Sequence, residues 1–288
     1  MKYHQKKSLI LQVLDKLPSR LGYFIYHKIQ NPSLKNIETK IKPNQASLRK
    51  IKQVLTSQNI DLETQTILEI GSGWYPILAF LFKAELKVNK IITYDINKHY
   101  SKQKVEQTEK HFKNIDYKIN EEDPFNLPNF IEYHPQTDLT TTGIDKSVNF
   151  VYSRFVLEHV KPKDILNMHQ KFRTELNDDI KILHLISPSD HRAYSDNSLS
   201  YYDFLKYSQA EWNNIQTKFD YHNRLRLPEY LYIFKKAGFK VSYIDHDRVE
   251  KNSDKYKMFK ALKLHPDYQK FSEEEILAGS ICVMLEKF

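Results

Sequence analysis

Residues 66–76 read TILEIGSGWYP. The run Thr66 to Ile70 is β-branched and apolar, Gly71, Ser72 and Gly73 follow it, and a helix-forming stretch comes next. The chain of 288 residues contains only six glycines. Two of them two residues apart mark a turn where the backbone needs positive φ or close approach to another group. A strand–turn–helix junction of this kind aims backbone N–H groups and the positive end of a helix at one point.

Outward from that turn the sequence alternates short strand-like runs with helical stretches. The strand candidates are Thr66–Ile70, Lys90–Ile96, Phe130–His134, Ser147–Ser153, Ile180–Ser187, Lys240–Asp245 and Ser280–Glu286. The first five are separated by segments long enough for crossovers, the signature of a parallel sheet, and the last two suit a closing antiparallel pair. The crossover after the fourth strand is a helix with Pro162 and Asp164 in its first turn and Ile165, Met168, Phe172 and Leu176 on one side. Pro228 starts a later helix and Gly238 ends it. Residues 188–227 form an aromatic-rich helical cap insertion, with capping-box spacings Ser200–Asp203 and Ser208–Glu211. It follows the carboxyl end of the fifth strand, the sheet edge where ligands bind in open α/β folds.

The second strand ends IITYDIN, which places Asp95 24 residues beyond Gly71. A carboxylate there can accept both ribose hydroxyls, so the glycine turn and distal acid together predict an adenosine pocket. A dinucleotide fingerprint would need glycine or alanine where Pro76 stands. Glu69, two residues before Gly71, would repel a pyrophosphate but favours a ligand with a cationic sulfonium and amino group. The arrangement resembles the (Asp/Glu)xGxGxG motif of class I S-adenosylmethionine-dependent methyltransferases. SVNFVYSRFVLEHV at residues 147–160 resembles that superfamily's fourth strand and the turn after it. IKILHLI, PEYLYIFKKAGF and the closing strands follow in the family order, so the resemblance covers about residues 64–288. Tyr75 replaces the third motif glycine. The acid expected after the third strand is Asp138 if that strand is Ile131–His134 and Asp123 if it is Tyr117–Asn120; Asp138 is preferred because a short turn separates it from the fourth strand.

The resemblance implies an α/β fold with a Rossmann-like, doubly wound, mostly parallel seven-stranded sheet and an antiparallel last strand. The expected organisation is a basic helical N-terminal extension, residues 1–60, followed by a methyltransferase domain, 61–288. It implies S-adenosyl-L-methionine as cofactor, with Glu69, Gly71, Ser72, Gly73, Asp95, Ile96, Asp138 and Ser153 as the binding positions. Transfer to a hydroxyl requires removal of a proton. Carried over from family members that methylate hydroxyls, Glu158 and His159 are the positions of a base or metal ligand, and Asp190 and His191 at the exit of the fifth strand complete the catalytic candidates. His159, His191 and Asp190 are adequate ligands for a divalent ion, but their spacing does not demand one and no metal is assigned. His184, inside a strand, reads as a core residue.

No Asn/Asp-Pro-Pro-Tyr tetrapeptide follows the fourth strand, which disfavours methylation of a base amine. Charge agrees. Residues 1–60 hold twelve Lys or Arg and two acids, whereas the other 228 hold 32 and 34, so the catalytic domain is near neutral and a nucleic-acid enzyme is disfavoured. The expected acceptor is a small molecule or glycan, methylated at oxygen. The extension reads as helical, with Ser8 as a cap, Leu9, Ile10, Val13, Leu14 and Leu17 on one face, a stop at Pro18, an aromatic stretch Leu21 to Ile29, and a second helix from about Ser47. Its lysines suit solvent, an anionic membrane or an acidic partner. A single cysteine, Cys282, and the absence of signal-peptide features predict a cytoplasmic protein. The alternatives are an NAD(P)-dependent oxidoreductase and a non-catalytic protein of the same fold. The sequence leaves the oligomeric state open.

Overall fold

A computed structural model describes residues 3–30 and 37–288. Helices α1 (Tyr3–Asp15), α2 (Ser19–Gln30) and α3 (Glu38–Ser57) precede an alternating core of β1 (Thr66–Ile70), α4 (Ile77–Leu86), β2 (Lys90–Asp95), α5 (Lys102–Glu109), β3 (Ile131–Pro135), β4 (Phe150–Arg154), α6 (Pro162–Glu175) and β5 (Lys181–Ile186). Then come α7 (Gln209–Ile215), α8 (Leu227–Lys236), β6 (Phe239–His246), α9 (Asp254–Lys260), α10 (Glu273–Leu277) and β7 (Ile281–Lys287).

The seven strands make one sheet in the order β3-β2-β1-β4-β5-β7-β6. β7 runs antiparallel to both neighbours, and the other pairings are parallel. All seven predicted strands are present, with ends displaced by up to three residues. The central strands are buried on both faces, which explains their near-continuous apolar sequence. One apolar layer joins the sheet to α3, α4 and α5, and the other joins it to α6 and α8.

Register decides which polar side chains meet inside the sheet. Glu69 lies opposite Thr93 on β2 and Tyr152 on β4, so these three occupy one row. Ser153 lies opposite His184 on β5. Both rows fall near the carboxyl ends of the strands.

The N-terminal reading needs three corrections. Ser8 lies inside α1 and does not cap it. The buried stripe of α1 is Leu11 and Leu14, packed with Phe219, whereas Leu9, Ile10 and Val13 are 53%, 48% and 57% exposed. Two apolar stripes overlap on this helix, and contact with Phe219 selects one. The third correction is that α3 begins at Glu38, not near Ser47. Pro43 lies in its second turn, and burial of Leu48, Ile51, Val54 and Leu55 holds the helix together across it.

The cap also differs from the expected single insertion. Tyr202, Phe204, Leu205 and Trp212 share a core with Phe259, Tyr268, Ile276 and Leu277, so residues after β6 build half of it. Ser208–Glu211 is a capping box as predicted, with both reciprocal bonds present. Ser200–Asp203 is not one, because the Ser200 hydroxyl accepts from Tyr202 N.

Candidate active site

The turn after β1 has the predicted conformation. Gly71 and Gly73 have φ of +81° and +60°, a region that disfavours residues with a Cβ. A Cβ at Gly71 would meet Val156 Cγ2 at 2.6 Å, so this glycine lets the β4 turn pack on the β1 turn. A Cβ at Gly73 would meet nothing within 4 Å. Gly73 therefore borders open space, whereas Gly71 borders protein.

Asp95 ends β2 beside this turn. One carboxylate oxygen accepts from Ser72 N at 2.8 Å and Ser72 Oγ at 2.9 Å, and the other accepts from Asn97 N at 2.7 Å. The acid is thereby fixed to the glycine turn with lone pairs to spare. Ile96, the next residue, is 70% exposed, an apolar side chain held in the open at the sheet edge. Asp138 follows β3, which settles the third strand as the one that favours Asp138 over Asp123. Its carboxylate accepts from Thr140 N and Thr140 Oγ1, both at 2.8 Å, and organises the turn there.

Two assigned binding residues point into the protein. Glu69 is buried, and its two oxygens accept from Tyr152 Oη at 2.5 Å and Thr93 Oγ1 at 2.7 Å. Burial pushes its pKa up to about 7, against the downward effect of those two bonds. It braces β2 and β4 beneath the turn and presents no free oxygen above it. Ser153 is likewise unavailable. Its hydroxyl meets His184 Nδ1 at 2.7 Å, His184 Nε2 meets His169 Nε2 at 2.9 Å, and His169 Nδ1 donates to Ile165 O at 2.7 Å. This buried chain is satisfied from end to end, so Ser153 and the expected core residue His184 serve packing.

Sequence reasoning missed the residues lying over the glycine turn. His27 of α2 packs against Trp74 and His99, with ring centroids 5.6 and 5.5 Å away. Lys104 donates to His99 O and stands 4.5 Å over the Trp74 ring, and burial lowers its pKa to about 8. Tyr75 Oη and His99 Nδ1 are buried here without partners. The open space at Gly73, the acid at Asp95 and these two orphaned polar atoms fit a polar ligand with a nucleoside end.

The second half of the site is the turn after β4. Phe155 has φ of +56°, a strained conformation for a bulky residue, and the following 3₁₀ turn Leu157–His159 presents Glu158 and His159. His159 Nδ1 meets the Tyr221 carbonyl at 2.9 Å, so the other ring nitrogen carries the lone pair. The His159 ring is exposed, and desolvation lowers its pKa. Glu158 is fully buried, and burial raises its pKa to about 8. His191 approaches from the 3₁₀ turn His191–Tyr194, and burial, then His159, lowers its pKa to about 4. The His159 and His191 rings lie 5.0 Å apart, and His222 stands 5.7 Å from the first and 5.0 Å from the second.

Glu158, His159 and His191 thus come together as the sequence suggested. Asp190 does not join them. Its carboxylate forms a bidentate pair with Arg192, at 3.0 Å to Nε and 2.7 Å to Nη2, and Arg192 also reaches Asp203. Asp190 is a positioning residue that fixes the turn carrying His191. His222, unforeseen in the sequence, enters because the chain returns past the β4 turn, where Asn223 donates to the carbonyls of Leu157 and Val160.

No protein-family model matches the chain, and no curated protein sequence matches it. Solved structures do. A magnesium protoporphyrin IX methyltransferase from Synechocystis PCC 6803, with bound SAH, superposes with a TM-score of 0.49 at 9% identity over 88% of this chain and 87% of that one. A cyclopropane synthase from Mycobacterium tuberculosis gives 0.44 at 14% identity over 65% and 58% of the respective chains. A mitomycin 7-O-methyltransferase gives 0.41 at 12% identity over 78% of this chain and 49% of its own, about half its length. At these identities the likeness is one of fold alone. The strand order β3-β2-β1-β4-β5-β7-β6, with β7 antiparallel to its neighbours, is the arrangement that the sequence resemblance implies.

Proposed function

We propose that the chain is an S-adenosylmethionine-dependent methyltransferase acting at an oxygen of a small-molecule or glycan-type acceptor. The observation that carries this reading is the open space at Gly73 facing a carboxylate, Asp95, that is locked to the same turn. In this reading Ser72 and Gly73 approach the cofactor, Asp95 accepts the ribose hydroxyls, and Ile96 covers the adenine face. Asp138 orders the turn beside the adenine, Gly71 admits Val156, and Glu69 supplies negative charge from below. When bound, the cofactor supplies a methyl group on a sulfonium for in-line displacement.

The acceptor side is the turn after β4 and the cap. His159 and His191, whose pKa values desolvation lowers, each offer a ring nitrogen able to take a proton from an acceptor hydroxyl. Tyr194, 57% exposed and hydrogen-bonded through its hydroxyl to Ser187, is placed at the rim where a ring could stack. An oxygen acceptor suits this cluster because a hydroxyl must lose its proton, and the near-neutral charge of the domain agrees with an uncharged acceptor.

The outer face of the α1–α2 hairpin is proposed as the contact surface for an anionic membrane. Leu9, Ile10, Val13, Leu21 and Phe24 are exposed there, among the exposed cations Lys6, Lys7, Lys16 and Lys28. No described helix is long and apolar enough to cross a membrane.

Calorimetric titration with S-adenosylhomocysteine and with NAD tests the cofactor. The expected result is binding of the first, weakened at least ~10-fold by Asp95→Ala through loss of charge-assisted hydrogen bonds. Binding of NAD alone would overturn the reading in favour of an oxidoreductase. Radiolabelled S-adenosylmethionine offered with hydroxylated small molecules, sugars, amines and nucleic acids then tests the acceptor; label recovered only on amines or nucleic acids would refute oxygen transfer.

A further inference from the structure

We propose that Glu158, His159 and His191 form a binding site for one divalent ion of the zinc and cobalt class. One donor atom from each of the three lies within 4.8 Å of the others. Two imidazoles and a carboxylate are a donor set that suits such ions better than magnesium or calcium, which prefer all-oxygen shells. Zinc bonds of about 2.0–2.2 Å require the donors to close to ~3.4 Å.

Three independent features point to a missing partner. Glu158 is 0% exposed, its Oε1 accepts from Ser187 N at 3.3 Å, and its Oε2 has no partner at all. An unpartnered buried carboxylate oxygen is costly, and one anchored by its twin is already aimed. His191 Nε2 is also buried without a partner. His159 is tied at Nδ1 to the Tyr221 carbonyl, the arrangement by which metal-binding histidines are commonly held, and this leaves Nε2 to bind.

The site is open on one side, because the His159 ring is exposed. Three protein donors with an open fourth position are the pattern of a catalytic site, in contrast to a closed structural one. His222 stands next to two of the donors, its ring centroid 5.7 Å from that of His159 and 5.0 Å from that of His191. Its Nδ1 accepts from Arg224 N at 3.2 Å, so the proton sits on Nε2, which is buried without an acceptor. That N–H can donate to an oxygen atom bound in the fourth position. The charged groups that act on the set are Arg154 on Glu158, Asp220 on His159 and Lys7 on His191. None bonds to the three donors. If the methyltransferase reading holds, the ion would bind the acceptor oxygen and favour loss of its proton to solvent at the open side, in place of direct transfer to either imidazole, but binding of the ion does not rest on that reading.

The test is binding of zinc or cobalt alone to full-length protein freed of metal with a chelator. The expected result is one ion per chain, with cobalt giving the ligand-field bands of a four- or five-coordinate nitrogen–oxygen site. His159→Ala removes an exposed ring and should spare the fold; it should weaken binding ~100-fold or more and change the cobalt spectrum. Glu158→Gln and His191→Asn should do the same, with circular dichroism confirming that each variant folds. His246→Ala, on the far strand β6, should leave stoichiometry and spectrum unchanged. Binding of fewer than one ion per chain, or a cobalt spectrum unaltered in His159→Ala, would overturn the proposal. S-adenosylhomocysteine affinity, measured in parallel, reports separately on the cofactor reading.

Discussion

Gly71 and Gly73 share a positive φ but are glycines for different reasons. At Gly71 a methyl group would strike Val156, so Gly71→Ala should destabilise the fold by about 3 kcal/mol, combining overpacking with backbone strain. At Gly73 the methyl group would enter open space, so Gly73→Ala should cost only ~1 kcal/mol of backbone strain while weakening S-adenosylhomocysteine binding sharply. Urea unfolding and ligand titration of both variants separate the two roles, and equal loss of stability would contradict the assignment. Glu69 adds a pH signature. Burial raises its pKa from 4.5 to about 7, so the folded state holds a proton that the unfolded state releases. Its contribution to stability is complete below the unfolded pKa and is lost as pH rises through the folded one. Glu69→Gln lacks this loss, so its stability relative to the parent should rise by about 3 kcal/mol between pH 4.5 and 7. Parallel pH–stability curves would show that Glu69 does not titrate in this window. A cationic ligand above the turn would favour the ionised form, so cofactor binding near pH 6 should release protons, which calorimetry in buffers of different ionisation enthalpy detects.

At the scale of elements, the cap is held by two buried arginines. Arg226 is 1% exposed and donates to Pro188 O at 2.7 Å and Arg224 O at 3.1 Å; Arg224, also 1% exposed, donates to Phe204 O and Tyr207 O at 2.8 Å. Their partners are mostly backbone carbonyls, so each ties loops to one another where no strand or helix does. Arg226→Met should leave two buried carbonyls without donors and cost about 3 kcal/mol, seen as a lowered Tm with S-adenosylhomocysteine affinity retained. An unchanged Tm would show that the cap does not depend on it. These arginines also mark where the sequence stopped being readable. Ser208–Glu211 was legible because a capping box is local, and the glycine turn with Asp95 was legible because it repeats a fixed spacing. Ser153 bonds to His184 inside the sheet because the register of β4 on β5 sets them side by side, which hydrophobic pattern alone does not specify. Asp190 stands apart from Glu158, His159 and His191 because a 3₁₀ turn folds Arg192 back onto it, a pairing the sequence pattern does not signal. His222 was missed because its neighbours His159 and His191 lie 63 and 31 residues earlier in the chain, and the half of the cap after β6 was missed because its apolar residues are spread among charged ones.

At the scale of the whole molecule, the α1–α2 hairpin touches both halves of the site. His27 rests on Trp74 and His99 at the glycine turn, while Tyr23 and Tyr26 pack on Phe219 of the cap with centroids 5.0 and 4.9 Å away. Lys218 pairs with Asp15 at the same junction. The inner face of the hairpin thus covers the site, and its outer face leaves apolar side chains among lysines. An anionic bilayer would bury those side chains and attract the cations together, a combination that a neutral bilayer cannot supply. Pelleting with vesicles of phosphatidylserine and phosphatidylcholine should therefore exceed pelleting with phosphatidylcholine alone, and should fall as salt is raised. Replacing Leu9, Val13 and Phe24 together with serine removes apolar area without altering charge. At ~25 cal/mol per Å² of apolar surface, loss of three such side chains should weaken binding at least ~10-fold. Affinity for S-adenosylhomocysteine should stay unchanged in that variant, because the substituted residues face away from His27 and the glycine turn. Equal pelleting of parent and variant, or equal pelleting on neutral and anionic vesicles, would refute the membrane surface and leave the hairpin as a cover for the site alone.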